Sequence, residues 1–370
     1  MEFKIKTTEL VRELNLVQGV VEKRTTIPIL SNVLIEAEAG RVVLTATDLE
    51  LGIRSVCTAE VIREGAGTLP ARRLLDYVRL LPDVEVSFKL LENQWAAVSC
   101  GRARTKIAGM SRESFPELPA MPGPTAEIPL DVLLGMTNRT GFAISPEESR
   151  FTLNGALLVL REGGAVMVAT DGHRLAHVEA DMSVAGLRGT QRVLVPKKAM
   201  VELVRLGHEA AVKAVQFSSD ENHLYFQFGE RVLIARKLTG SFPDYERVLP
   251  KEAKIVVTVN REEVRAAIER VSKFADERSH AIRIQLNPGE ISFYSSTSEA
   301  GESEEAVPAD YDGTAFEIGF NAGYILDFLR ATSGTNVLLR LKDSHSAAEM
   351  RPADEEAPYR YRYVLMPMRI

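Results

Sequence analysis

Cysteine is almost missing from this chain: its 370 residues hold two, Cys57 and Cys100. Neither lies in a CxxC pair, so the sequence has no thiolate zinc knuckle, and so few thiols suggest a reducing compartment, expected to be the cytoplasm. Aromatic residues are scarce, at 6% with a single Trp, and no interleaved aromatic series offers a stacking platform for single-stranded bases. No apolar run approaches the ~20 residues needed to span a bilayer. The opening MEFKIKTTEL lacks the apolar core of a signal peptide, and no membrane partner is expected. Catalytic signatures are lacking as well. There is no GxxxxGK(S/T) and no HExxH or GxSxG, and the "GAG" at 65–67 lacks the third glycine of a dinucleotide-binding turn. The six histidines are scattered. An excess of basic charge is also missing, since the net charge is −6. That excludes a uniformly basic surface and leaves room for a local basic stripe.

The chain does have length and apolar content: 45% hydrophobic and 26% charged residues are enough for two to four packed domains. It also repeats itself. A helix-like opening occurs at 7–21, 129–144 and 260–275. A hairpin of two alternating runs around a Gly-containing turn follows at 32–48, 155–171 and 281–297. A second helix follows at 70–81, 196–207 and 320–331, and a closing strand with its tail at 104–119, 231–250 and 361–370. The period is near 125 residues, the mark of a repeat architecture. Two Pro-rich stretches, 118–129 and 248–254, place the boundaries, giving domains 1–122, 123–250 and 251–370. Each is expected to be α+β, with two helices and antiparallel strands. The phrase Ala-Thr-Asp ends the same strand twice, at 46–48 and 169–171, and the third copy reads Ser-Ser-Thr-Ser.

The strongest acidic pair is Asp48 with Glu50, a conceivable metal site. The second repeat does not preserve it, so solvated carboxylates at a turn are the expectation, with neither metal nor cofactor. Basic residues cluster on the second helix. Arg72, Arg73 and Arg79 stand against Asp76, and Lys197, Lys198 and Arg205 against Glu202. In the third repeat Arg330 stands against Asp327, and the opening helix carries Arg261, Arg265, Arg270 and Lys273 among Glu262, Glu263 and Glu269. Such faces either pair internally or touch phosphate backbones without reading sequence.

Taken together the chain resembles the bacterial sliding clamp, the β subunit of the replicative DNA polymerase. The resemblance covers essentially the whole chain and rests on "IPILSNVLIE" (27–36), "TATDLE" (45–50), "ATDGHRLA" (169–176), "SFPDYERVLP" (241–250) and "YVLMPMRI" (363–370) in that order. It implies a head-to-tail homodimer, a ring of six domains around double-stranded DNA with helices inward and sheets outward. The ring would have no catalytic role and would hold the polymerase on DNA by topology. The DNA polymerase and clamp loader subunits would dock through short linear motifs.

By the same resemblance, partner peptides enter an apolar pocket. The matching positions are Leu153, Thr170, Gly172, His173, Arg174, Leu175, Pro243, Val248, Val364, Met366, Pro367 and Met368, with Arg150, Arg247 and Arg369 on its polar rim. Adaptable Leu, Val and Met side chains suit such a groove. Thr152 stands where the family often has an aromatic and Ala347 where Ser is common. The loop at 145–149 carries Glu147 and Glu148 where the family approaches DNA. Arg24 matches a DNA-facing loop position, and the dimer contact implied pairs the strand of Ile107 with the region of Lys273 and Phe274. Two other functions compete: a non-encircling protein-interaction scaffold of the same fold, and a metal-dependent nuclease built on Asp48 and Glu50.

Overall fold

A computed structural model describes residues 1–22, 25–147, 149–354 and 358–369. Arg24, Glu148 and Ile370 lie outside the described residues. Among the described residues six α-helices recur two per repeat: α1 (Thr7–Val17), α2 (Ala71–Val78), α3 (Leu130–Thr140), α4 (Lys197–His208), α5 (Arg261–Val271) and α6 (Ala322–Ala331). They coincide with the six helical segments expected from the periodicity. Between them lie antiparallel strands, among them the three expected hairpins Asn32–Glu38 with Arg41–Thr47, Gly155–Arg161 with Gly164–Thr170, and Ala281–Asn287 with Glu290–Thr297.

The helices start where local chemistry allows. The Asn260 side chain accepts from the N–H of Glu262 and Glu263 at 3.0 and 3.1 Å, and two acids in the first turn of α5 complement its dipole. Asn321 caps α6 through the Tyr324 N–H. α1 has no side-chain cap. Instead the N–H and the hydroxyl of Thr7 both donate to the Val84 carbonyl, at 3.0 and 2.6 Å. α2 is short and sharply two-faced, with Ala71, Leu74, Leu75 and Val78 buried and Arg72, Arg73 and Asp76 exposed.

The chain divides into two compact units. The first, Met1–Leu130 with Lys198–Lys237, holds a five-stranded and an eight-stranded sheet. Its core includes the stacked rings of Phe3 and Phe88, 5.0 Å apart, and the tilted pair Phe217 and Phe226. The second, Asp131–Lys197 with Leu238–Ile370, holds a twelve-stranded sheet. Phe328 stacks on Tyr363 at 5.3 Å in its core.

One pairing recurs. In the first unit the closing strand of repeat two, Arg231–Arg236, adds to Leu51–Thr58 of repeat one, with Leu233 opposite Ile53. In the second unit the closing strand of repeat three, Tyr359–Leu365, adds to Arg174–Asp181 of repeat two, with Val364 opposite Leu175. In both cases the accepting strand is the one that follows an Ala-Thr-Asp turn.

Candidate docking site

The repeated phrase builds the same turn twice. The Asp48 carboxylate accepts from the N–H of Glu50 and Leu51 at 2.9 and 2.7 Å, and Asp171 accepts from His173 and Arg174 at 2.9 and 3.0 Å. The Thr47 hydroxyl donates to the Leu51 carbonyl and that of Thr170 to the Arg174 carbonyl, both at 2.6 Å. Short polar side chains closing on their own backbone are the usual device of such turns. The residue between is left-handed in both copies: Leu49 at φ 76° and Gly172 at φ 92°. Glycine occupies that region freely, while leucine is strained there. Leu49 is half exposed and has little packing to lose. Leu49→Gly is therefore expected to stabilise the chain by about 0.5–1 kcal/mol, net of glycine's greater freedom when unfolded. Urea unfolding checks it, and a lower midpoint would refute the strain.

In the second copy the turn continues as His-Arg-Leu and forms one wall of an apolar notch. Thr170, Gly172, His173, Arg174, Leu175, Val248, Val364 and Met366 line a space of about 30 Å3. All eight are among the positions expected from sequence. Leu175 and Val364 are buried cross-strand neighbours that form the floor. Val248 and Met366 form an exposed lip, 44% and 45% accessible. The Met366 N–H donates to the His173 carbonyl at 2.9 Å, which fixes the tail against the turn. The lip is the adaptable part of the notch, Met366 being unbranched, and the floor is packed within the sheet.

Arg174 supports this wall from behind, with its side chain only 10% exposed. It reaches Asp171 at 3.1 Å, Asp327 at 2.6 Å and the Phe142 carbonyl at 2.7 Å, and lies 4.3 Å from the Tyr324 ring centroid. Burial opposes its charge, but Tyr363 and Asp327 outweigh that and raise its pKa. Of these partners only Asp171 was visible in the sequence, through the repeated phrase. Asp327, Phe142 and Tyr324 come from distant segments.

The remaining expected positions surround the notch less tightly. Arg150 donates to the Asp171 carbonyl at 2.9 Å and pairs with Glu147 at 2.8 Å. Leu153 and Pro367 are partly buried, Pro243 is exposed, and Arg247 points outward against Asp244. The Met368 N–H donates to the Gly319 carbonyl, and Arg369 is exposed. Ala347 packs on the same core cluster as Leu175 and Val364.

The basic residues are more neutralised than their number suggests. Lys198 lies 3.1 Å from Asp48 and 3.2 Å from Glu50. Partial burial works against its charge, yet those acids hold its pKa above the ordinary lysine value. The two carboxylates of the conceivable metal site are thus occupied by an ammonium, and no acidic or His/Cys cluster fit for a metal occurs among the described residues. Arg205 donates to the carbonyls of Asn15 and Leu16 and to Glu202, and Arg79 donates to Asn15. Arg72 lies 3.9 Å from Asp76, Arg73 is exposed and Lys197 is partly buried. In the third repeat Arg265 pairs with Glu262 and Glu269, and Arg330 with Glu269. Ile107 is 4% exposed within its own sheet, Lys273 is exposed and Phe274 partly buried. Among the described residues no helix is long and apolar enough to cross a membrane.

Comparison with known proteins accounts for the whole chain. Family models of the DNA polymerase III beta subunit match in order: the N-terminal domain at 1–119, the central domain at 127–244 and the C-terminal domain at 246–369. The beta sliding clamp of Pseudomonas aeruginosa is 36% identical over 373 residues, and that of Caulobacter vibrioides 36% identical over 380, each alignment covering all of both chains. A crystal structure of the Pseudomonas aeruginosa DnaN sliding clamp bound to griselimycin superposes with a TM-score of 0.93 at 36% identity over the full length of both. With its threefold α+β repeat and the notch beside its second Ala-Thr-Asp turn, the chain belongs to the beta sliding clamp family, the non-catalytic beta subunit of DNA polymerase III.

Proposed function

We propose that two chains close head to tail into a ring around duplex DNA, with the notch as the docking point for short apolar motifs of the polymerase and of the clamp loader. The observation that carries the ring is the recurring strand addition. Within each unit the closing strand of one repeat fills the edge beside the strand after the turn of the preceding repeat. One donor and one acceptor are left over. The closing strand of repeat one, Ala103–Ala108, is the edge of the five-stranded sheet. The corresponding acceptor, Gly301–Asp310, pairs along its length on one side only; on the other, Asp310 and Ala309 alone meet a strand. A second copy supplies what each lacks. The charges agree, since Arg104 and Lys106 are exposed on the donor, and Glu302 and Glu304 on the acceptor. Covering both edges also removes an aggregation hazard, and two identical contacts of this kind close the assembly.

In this reading Ile107, Lys273 and Phe274 lie at the junction, and the division into domains 1–122, 123–250 and 251–370 follows the repeats. Contact with DNA falls to exposed arginines such as Arg72 and Arg73, and the neutralised Lys198 and Arg205 add little local charge. Weak, unspecific backbone contact is what free sliding requires. The protein works in the cytoplasm, where the DNA is.

Small-angle X-ray scattering of the pure protein tests the ring. Forward scattering should give twice the chain mass, with the distance distribution of a hollow particle. A compact monomer at micromolar concentration would overturn it.

A further inference from the structure

The notch is only one end of a longer feature. The register of the second unit's sheet sets cross-strand rows on one face, because residues two apart on a strand point to the same side. The first row holds Leu175, Val364, Glu349 and Arg340. The next holds Val168, His177 and Arg362, and the third Val166, Glu179 and Arg360. Each step moves about 7 Å along the strands. Beyond the floor of the notch, the same face therefore changes from apolar to charged. It opens there into a cleft of about 740 Å3, lined by the guanidiniums of Arg161, Arg192, Arg340, Arg351, Arg360 and Arg362 against the fewer carboxylates of Glu179, Glu246 and Asp354; Glu179 pairs with both Arg161 and Arg360.

The charge around Glu349 indicates an anionic occupant. Glu349 is 1% exposed and shared by three guanidiniums: Arg351 at 2.9 Å, Arg340 at 3.4 Å, and Arg362. One buried carboxylate cannot balance three cations, so positive charge remains on the cleft floor.

We propose that the cleft receives acidic residues flanking the apolar docking motif of a partner protein, so that one extended peptide fills notch and cleft together. The proposal rests on the docking reading given above. Arg–carboxylate pairs suit such a peptide because guanidinium and carboxylate match in shape and charge. The continuity of the two sites on one sheet face favours a peptide over a nucleic acid.

The test uses the full-length protein and fluorescent peptides sharing one apolar core of two leucines and a phenylalanine. One set carries three aspartates on a flank and the other three asparagines, with each flank placed before or after the core. At low salt one placement of the acidic flank should tighten binding about fivefold over its asparagine partner, and the gain should fade as salt is added. In the double variant Arg192→Gln, Arg360→Gln the gain should vanish while the asparagine peptides bind as before. Arg351→Gln alone should halve it. Equal binding of both sets overturns the cleft and spares the notch. If the asparagine peptides do not bind at all, the docking reading falls and takes this proposal with it. If a single-stranded oligonucleotide is held through Arg192 and Arg360 while the acidic flank adds nothing, the occupant is wrong.

Discussion

Replacing Glu13 by alanine is expected to cost about 3–5 kcal/mol of stability, because it strands a buried guanidinium. Glu13 lies on α1 and is 2% exposed. Its two oxygens accept from Arg231 at 2.6 and 2.8 Å, from the Ser55 hydroxyl at 2.5 Å and from Arg12 at 2.7 Å. Arg231 is itself buried and starts the closing strand of repeat two, and its remaining contact is the Glu209 carbonyl at 2.7 Å. The pair therefore joins the first helix of repeat one to the last strand of repeat two inside one unit. Burial alone would raise the Glu13 pKa, but the hydrogen bonds from Arg231, Ser55 and Arg12 outweigh it and leave it lowered. A lowered folded pKa gives stability that is fully present above the unfolded value of about 4.3 and is lost as pH falls through the folded value. Urea unfolding at neutral pH measures the cost. The double variant Glu13→Leu, Arg231→Met should recover most of it, since a well-packed apolar pair can replace a buried ion pair. A loss below 1 kcal/mol for the single variant would show that the guanidinium finds water or another acid.

Deleting residues 366–370 should weaken a partner peptide more than ~100-fold and leave the oligomer intact. The deletion removes Met366, half of the exposed lip of the notch, together with its hydrogen bond to the His173 carbonyl. It spares Tyr359–Leu365, whose pairing with Arg174–Asp181 holds the sheet. Fluorescence anisotropy with an apolar-core peptide gives the affinity, and light scattering with circular dichroism gives mass and fold. Met366→Ala should lose about tenfold, as expected for truncating one large apolar contact. Affinity within threefold of the intact chain would mean that the peptide binds elsewhere.

Much of this molecule could be read from its sequence. Helical spacing located all six helices, and alternation around glycine turns located the three hairpins, because both periods follow directly from backbone geometry. The eight residues of the notch could be named through the resemblance to the sliding clamp, because they lie in three of the phrases that carry it, "ATDGHRLA", "SFPDYERVLP" and "YVLMPMRI". What could not be read depends on contacts between distant segments. No local pattern links Glu13 to Arg231, Arg174 to Asp327, or Lys198 to Asp48. The arginine cleft did leave one trace. In "YRYRY" at 359–363 the alternation puts Arg360 and Arg362 on one face of a strand, and Tyr361 and Tyr363 are buried. That trace indicated a charged sheet face but not the neighbours that crowd three cations around Glu349.

The pairing of Arg174 with Leu365 has a consequence in time. The two strands that form the floor of the notch come from positions about 190 residues apart in the chain. Local hairpins close on the microsecond scale, whereas a contact at such separation must first overcome the entropy of a very long loop. The notch is thus expected to be among the last features to form as the chain folds and among the first to go if the terminal strand detaches. A peptide docking in the notch as proposed would therefore select chains whose folding is finished.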